Sequence, residues 1–152
     1  MCTIAVLFAR HPDAPLVVAA NRDEFYARSA SGPVVFAESP RVVGGRDDQA
    51  GGTWLAVRAD GVVAAVTNQR SFAPADRGRR SRGLAVLEVL AAADPVAAAA
   101  ALDPADFSSA NLLVGDADRL SVAYLRRPER TAEVVALAPG LHVLANDRLG
   151  SP

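Results

Sequence analysis

The sequence contains no lysine, and all sixteen of its basic residues are arginine. Schiff-base catalysis and phosphate binding by a Walker-type loop both need a lysine amine, so both are excluded. Seventeen aspartates and glutamates oppose the arginines and give a formal net charge of −1. The electrostatic field of a chain with so small a net charge is weak, which does not favour nucleic acid or an acidic membrane as the main partner.

Cysteine and long apolar segments are also scarce. The single cysteine, Cys2, cannot form an internal disulfide, so folding does not require an oxidising compartment. Uncharged apolar stretches such as residues 62–66 and 96–102 are far shorter than the roughly 20 residues that cross a bilayer. The amino-terminal segment also lacks the pattern of a secretory signal. We therefore predict no membrane span and a cytoplasmic location. The absence of lysine favours a bacterial source.

The first half of the chain reads as strands and turns. Its 152 residues, 51% of them hydrophobic, fit one globular domain. Apolar runs at residues 3–8 and 16–20 predict a hairpin of buried strands, and residues 34–36 a further strand. The runs 53–58 and 62–67, joined by Ala59-Asp60-Gly61, predict a second hairpin. A glycine-rich loop is predicted before it, from Gly44, Gly45, Gly51 and Gly52.

The second half adds helices before strands return. An exposed loop over residues 70–83 precedes a helix that begins near Leu84, because apolar residues then recur at helical spacing. Asp94-Pro95 and Asp103-Pro104 each combine a capping side chain with proline at the first helical position. Strands are predicted at residues 111–114, 121–125, 133–137 and 141–145. Strands, a helical insertion and further strands with hairpin connections predict an α+β fold.

Cys2 is the first candidate for chemistry because of its position. Met1 precedes a small side chain and is expected to be removed, which leaves a thiol and a free amine on one residue. An α-amino group has an unperturbed pKa of about 7.7–8.0, so it can act as a general base for its own thiol. The pattern is typical of N-terminal nucleophiles. The alternative is a small apolar residue buried at the start of a strand, and position alone leaves both open.

Further polar candidates occur where predicted strands end. The first hairpin should bring Arg22 and Asp23, in Asn-Arg-Asp-Glu, close to Cys2. An arginine there could keep a thiolate ionised, and an aspartate could hold the terminal ammonium. The alternative is a solvated strand end with a local ion pair. Asn68 and Asn146 each follow a strand, where an amide could donate to an oxyanion or simply form a turn.

Several sequence blocks together resemble the NRDE family, which includes transport and Golgi organisation protein 2. The blocks are MCT, AANRDEFYAR, GGTWLAV followed by TN, SRG and LAND, and the resemblance runs from Met1 to Pro152. The family is similar to N-terminal nucleophile hydrolases. The resemblance therefore implies a four-layer αββα sandwich for residues 1–152, as a single domain.

The related bile-salt hydrolases and penicillin V acylases imply a role for each candidate. Cys2 would be the nucleophile, Asp23 would orient its amine, and Arg22 would flank the thiolate. Asn68 would stabilise the oxyanion, and Asn146 would hold the amine and the substrate. The implied reaction is hydrolysis of a non-peptide amide through an acyl-thioester, without metal or cofactor. The acylases space their arginine and aspartate apart, whereas Arg22 and Asp23 are adjacent.

A role without turnover is the second hypothesis. Some members of the family are linked to haem or lipid metabolism, which implies a haem-binding or lipid-metabolite-binding protein on the same scaffold. Cys2 could then ligate iron as a thiolate. His11 and His142 are the only histidines, and no spacing of cysteine and histidine indicates zinc.

Five arginines lie within thirteen residues, from Arg70 to Arg82. They could bind a carboxylate or phosphate bidentately, or form a solvated loop. Nucleic acid is not favoured, since no recognisable binding module accompanies them. Arg82, beside Gly83 at the start of a helix, is the candidate substrate-binding residue.

The resemblance is still continuing at the last residue, and family members extend well beyond this point. The chain is therefore expected to lack the C-terminal part of the sandwich. We expect its last strands to leave an open sheet edge or an apolar face. A further segment of the protein, a second polypeptide or a homodimer partner would cover it.

Overall fold

The structure, a computed structural model, describes residues 2–69, 78–127 and 129–149. In these segments the strands form two antiparallel sheets, and the helices follow β6 in the chain. The strands are β1 (Thr3–Phe8), β2 (Leu16–Asn21), β3 (Ala30–Glu38), β4 (Arg41–Asp47), β5 (Leu55–Arg58), β6 (Val63–Asn68), β7 (Ala110–Gly115), β8 (Leu120–Leu125), β9 (Glu133–Ala136) and β10 (Gly140–Leu144). The helices are α1 (Arg82–Ala91), α2 (Pro95–Ala101) and a short 3₁₀ turn, Pro104–Asp106. Both predicted hairpins and all four predicted later strands are present.

The smaller sheet has the order β10-β1-β2 and presents one apolar face to the larger sheet. Ile4, Val6 and Phe8 alternate along β1 and are buried, since successive side chains of a strand point to opposite faces. Leu144 lies opposite Ile4 in the register of β10 and β1 and is buried with them. Cys2, immediately before β1, is therefore held at one end of the space between the sheets.

The larger sheet has the order β3-β4-β5-β6-β7-β8-β9 and separates two apolar cores. Leu112 and Val114 of β7 pack toward the helices, whereas Leu113 of β7 packs toward the smaller sheet. Burial on both faces explains why β7 and β8 are continuous apolar runs without alternation. The described residues thus form three of the four expected layers, which are helices, seven-stranded sheet and three-stranded sheet.

Local capping defines the helices. The side chain of Ser81 accepts a hydrogen bond from the backbone N–H of Gly83, so α1 begins at Arg82, two residues before the predicted start. Asp94 caps α2 by accepting from Val96 and Ala97, and Asp103 caps the 3₁₀ turn, as predicted. No helix among the described residues is long and apolar enough to cross a membrane.

The predicted glycine loop is only partly a loop, because Gly44 and Gly45 lie within β4. A side chain on Gly44 would meet the backbone of Leu55, and one on Gly45 would lie 2.5 Å from the Trp54 ring. Close packing, rather than chain reversal, requires these glycines. Gly51 has a φ of +73° and does turn the chain. Of the predicted loop over residues 70–83, residues 70–77 lie outside the described part of the chain.

The outer face of the smaller sheet is apolar. Val17 of β2 and Val143 and Leu141 of β10 point away from the larger sheet and are 44%, 48% and 70% exposed, respectively. An apolar face of this kind was expected from the sequence. The segment or partner that would cover it stays a prediction.

One buried arginine ties the second hairpin to α1. Arg58 Nη1 donates to the carbonyl oxygens of Leu90 at 2.9 Å and Ala92 at 2.7 Å. Its Nε and Nη2 atoms also contact the Asp60 carboxylate at about 2.9 Å. A hydrogen bond from Arg58 lowers the pKa of Asp60. Arg58 therefore satisfies carbonyls at the end of α1 that the helix cannot satisfy itself.

Replacing this side chain tests its contribution to stability. We expect Arg58→Met to lower the free energy of unfolding by about 2–3 kcal/mol, because two helix-terminal carbonyls lose a charged donor. Urea denaturation measures the change. Arg41→Met is the control, since Arg41 pairs with Glu38 on the surface and should change stability by less than about 1 kcal/mol. Equal losses in the two variants would contradict the assignment.

Candidate functional site

A cavity of about 320 Å³ opens where β1 begins and β6 ends. Four of the six predicted site residues line it. They are Cys2, Arg22, Asn68 and Arg82. They come from four separate places in the sequence: the start of β1, the end of β2, the end of β6 and the first residue of α1. Of the other two predicted residues, Asp23 contacts Cys2 and Asn146 contacts Asn68.

The hairpin of β1 and β2 brings Cys2 and Asp23 together, as the sequence predicted. Thr3 lies opposite Asn21 in the register, so the residues flanking this pair meet beyond the sheet. The Cys2 thiol lies 3.7 Å from the Asp23 carbonyl oxygen. Asn21 Nδ2 donates a hydrogen bond to the Asp23 carboxylate at 2.8 Å. Asp23 thus contacts Cys2 through its backbone, while Asn21 holds its carboxylate.

The two asparagines are connected to each other. Asn146 Nδ2 donates to the backbone carbonyl oxygen of Asn68 at 2.6 Å. This contact joins the segment after β10 to the end of β6. Asn68 is the member of the pair that lines the cavity. Asn146 therefore contacts the backbone of Asn68.

Two buried polar residues that the sequence interpretation missed support this junction. Asn111 Nδ2 donates to the carbonyl oxygens of Ala145 at 3.1 Å and Asp147 at 2.8 Å. The Thr67 hydroxyl also donates to the Ala145 carbonyl oxygen, at 2.6 Å. Asn111 is fully buried within the apolar strand β7. A single amide side chain within an apolar run was the signal available in the sequence, because a buried polar group needs hydrogen-bond partners.

Asp47 organises two of the arginines near the cavity and was also missed. Its carboxylate lies 2.7 Å from Arg28 Nη2 and 3.5 Å from Arg22 Nη2, and Glu24 lies within 4 Å of both guanidinium groups. Arg22 also stacks over the Trp54 ring at 4.6 Å. The Arg22 guanidinium therefore contacts Asp47, Glu24 and the Trp54 ring. Glu24, Arg28 and Trp54 belong to sequence blocks that carry the family resemblance.

Arg82 differs from these arginines. Among the described residues, none forms a hydrogen bond or ion pair with its guanidinium. Burial lowers its pKa, as does the positive charge of Arg28, whereas Glu24 and Cys2 act in the opposite direction. Arg82 therefore lines the cavity with Cys2 without a carboxylate partner among the described residues.

The histidines lie away from the cavity. His11 Nδ1 accepts a hydrogen bond from the backbone of Asp13, and the His142 ring contacts the carbonyl oxygen of Ala138. Within the described segments, no group of three or more His, Cys, Asp or Glu residues could hold a metal ion. Cys2 is thus the candidate iron ligand that lines the cavity, and binding of haem or a lipid metabolite stays a prediction.

Acid should weaken the Asp47 cluster. Burial raises the pKa of Asp47, but hydrogen bonds from Arg28 and from the backbone of Ala50 and Gln49 outweigh burial and leave it below the ordinary value. Ionised Asp47 therefore stabilises the fold above about pH 4, and this contribution is lost as the pH falls through the lower pKa of the folded state.

The pH dependence of unfolding tests this effect. Between about pH 6 and about pH 3, the wild type should lose more free energy of unfolding than Asp47→Asn. Arg28→Gln, which removes the main donor, should reduce the loss in the same direction. Urea denaturation at each pH measures the difference. Identical losses in the wild type and Asp47→Asn would contradict the role of Asp47.

Comparison with known proteins places the chain among longer relatives. A family model described as Transport and Golgi organisation 2 matches residues 1–152. The chain is 34% identical to the Transport and Golgi organization protein 2 homolog of Bos taurus, in an alignment that covers 100% of this chain and 59% of that protein. The human homolog is 36% identical over 45% of this chain and 27% of its own length. The chain thus spans less than two thirds of these relatives.

Two solved structures share the fold at low sequence identity. One is the Caenorhabditis elegans ortholog of N-acylethanolamine-hydrolyzing acid amidase, with a TM-score of 0.64, 13% identity and coverage of 97% of this chain and 70% of that one. The other is a variant of conjugated bile acid hydrolase from Clostridium perfringens, with a TM-score of 0.58, 14% identity and coverage of 97% and 54%. The likeness confirms the predicted α+β fold of N-terminal nucleophile hydrolases.

Proposed function

The chain belongs to the Transport and Golgi organisation 2 family, and we propose that its cavity is the active site of an N-terminal cysteine hydrolase acting on a non-peptide amide. The observation that carries the proposal is the position of Cys2. Its thiol lies in the cavity with Asn68 and contacts the backbone of Asp23. A nucleophile, a holder for its base and an amide donor are thus contributed by three strand ends.

The reaction begins with removal of Met1, which leaves the α-amine on Cys2. This amine takes the thiol proton, and the thiolate attacks the carbonyl carbon of the substrate amide. Asp23 stabilises the resulting ammonium group. The side-chain N–H of Asn68 donates to the oxyanion of the tetrahedral intermediate.

Collapse of the intermediate breaks the carbon–nitrogen bond. The α-ammonium gives its proton to the departing amine, and the acyl group remains on Cys2 as a thioester. The α-amine then takes a proton from water, and the hydroxide attacks the thioester carbon. The carboxylic acid leaves, and the thiol is restored. No metal or cofactor is required in this sequence of steps.

The remaining predicted residues support the site from its edges. Arg22 lines the cavity with Cys2 and is held by Asp47 and Trp54, so it contributes positive charge from a fixed position. Asn146 acts through the backbone of Asn68. We assign Asn146 as a positioning residue, since its amide contacts the chain that carries the oxyanion donor.

Intact-mass analysis combined with a Cys2 variant tests the nucleophile. The purified protein should lack Met1 and should release free acid from members of a panel of N-acyl amides, followed by mass spectrometry. Cys2→Ala should abolish release, because no thioester can form. Cys2 is the only cysteine, so iodoacetamide should label one site in the wild type and none in Cys2→Ala. Retained Met1 on active protein, or turnover by Cys2→Ala, would refute the mechanism.

The oxyanion donor is tested separately. Asn68→Ala should lower kcat about 100–1,000-fold while changing KM little, as expected when one oxyanion donor is lost. Asn146→Ala should lower kcat by a smaller factor because it leaves the Asn68 side chain in place. Gln49→Ala, which removes an exposed amide outside the cavity lining, serves as the control. Steady-state kinetics on the best amide of the panel measures all three. An unchanged kcat for Asn68→Ala would exclude the assigned role.

A further inference from the structure

Positive charge exceeds negative charge around the cavity. Five arginines contribute to its lining, against the two carboxylates of Glu24 and Asp47. The arginines are Arg22, Arg28, Arg79, Arg80 and Arg82. A concave surface with such an excess of positive charge attracts anions, because its low-dielectric walls concentrate the electric field.

Most of this positive charge is already paired within the protein. Arg22 and Arg28 share Asp47 and Glu24. Arg80 pairs with Glu88 at 2.5 Å and faces the Phe107 ring. These arginines therefore have carboxylate partners of their own and shape the cavity wall.

Arg79 also has a partner, because its Nη1 donates to the carbonyl oxygen of Ala105. Arg82 is the lining arginine that remains for a ligand. It is partly buried, and within the described part of the chain its guanidinium has neither a hydrogen bond nor an ion pair. A desolvated guanidinium without partners is unfavourable, and its planar donors match the two oxygens of a carboxylate or phosphate. A bound oxyanion would supply the missing partner.

The backbone around Arg82 is held firmly. Gly83 packs so closely against the β4–β5 connection that a side chain on it would lie 2.8 Å from the backbone nitrogen of Thr53. The Gly83 carbonyl oxygen accepts a hydrogen bond from that same nitrogen at 3.3 Å. The start of α1 is thus fixed against the sheet, at the cavity that Arg82 lines.

We propose that Arg82 binds an oxyanion of the substrate, so that the amide cleaved at Cys2 carries a carboxylate or phosphate group in the same small molecule. Cys2 and Arg82 line one cavity of about 320 Å³, which limits the separation between the scissile amide and the anion. The assignment of this anion to a substrate rests on the proposed hydrolase function. Anion binding at Arg82 stands independently of it.

Fluorescence of the single tryptophan provides a binding assay, because Trp54 lines the cavity. We would titrate Cys2→Ala, which cannot turn over, with N-octanoylglycine, its neutral analogue N-octanoylglycinamide, and octyl phosphate at constant ionic strength. At least one anionic probe should bind about tenfold or more tightly than the neutral amide, as expected for a charge-assisted pair. Tighter binding of octyl phosphate would identify a phosphate site, and tighter binding of N-octanoylglycine a carboxylate site.

Variants at Arg82, in the same Cys2→Ala background, separate charge from folding. Arg82→Gln should reduce the preference for the anion to about twofold or less, whereas Arg82→Lys should retain part of it because the charge remains. Arg119→Gln is the control, since Arg119 pairs with Asp94 outside the cavity. Equal affinity for acid and neutral amide, or an anion preference that survives in folded Arg82→Gln, would overturn the proposal. If wild-type protein cleaves no amide but Arg82 still selects the anion, the hydrolase assignment fails and the anion site stands.

Discussion

The buried amide of Asn111 fixes the relation between the two sheets on which the site depends. It donates from β7 to two carbonyls of the segment that follows β10, and Thr67 adds a further hydrogen bond from β6. A fully buried amide must keep its partners, because leaving them unpaired costs the desolvation of each group. β10 pairs along most of β1, so holding the end of β10 also holds the start of β1. Cys2 and Asn68 face one cavity for this reason.

A small number of carboxylates determine which arginines around that cavity are paired. Asp47 binds two arginines and also accepts two backbone N–H groups, so its own position is set by the turn after β4. Arg22 is held by Asp47 and by stacking on the Trp54 ring, and its role beside the thiolate stays a prediction. Arg82 has no such carboxylate among the described residues and lines the cavity with Cys2. The two arginines therefore differ in what they can do for a substrate.

The described segments contain three of the four layers expected for the fold. Helices, a seven-stranded sheet and a three-stranded sheet are stacked in the described segments, and the outer face of the small sheet remains apolar and exposed. The curated relatives are longer than this chain, so the activity of a whole protein of this family stays a proposal. The cavity itself is built from residues of this chain on both sheets and on α1.

Sequence alone was sufficient for the elements whose cause is local. The apolar runs of β1 and β2, the connection Ala59-Asp60-Gly61, and the capping residues Asp94 and Asp103 act within a few residues, so the hairpins and helices followed from pattern. The sequence blocks identified the family, and sequence reasoning named four residues that line the cavity. Tertiary structure decided the rest, because it depends on contacts between distant segments. It packed Gly44 and Gly45 inside a strand, paired Arg22 with Asp47, and placed Arg82 at the cavity with no carboxylate partner in the described segments.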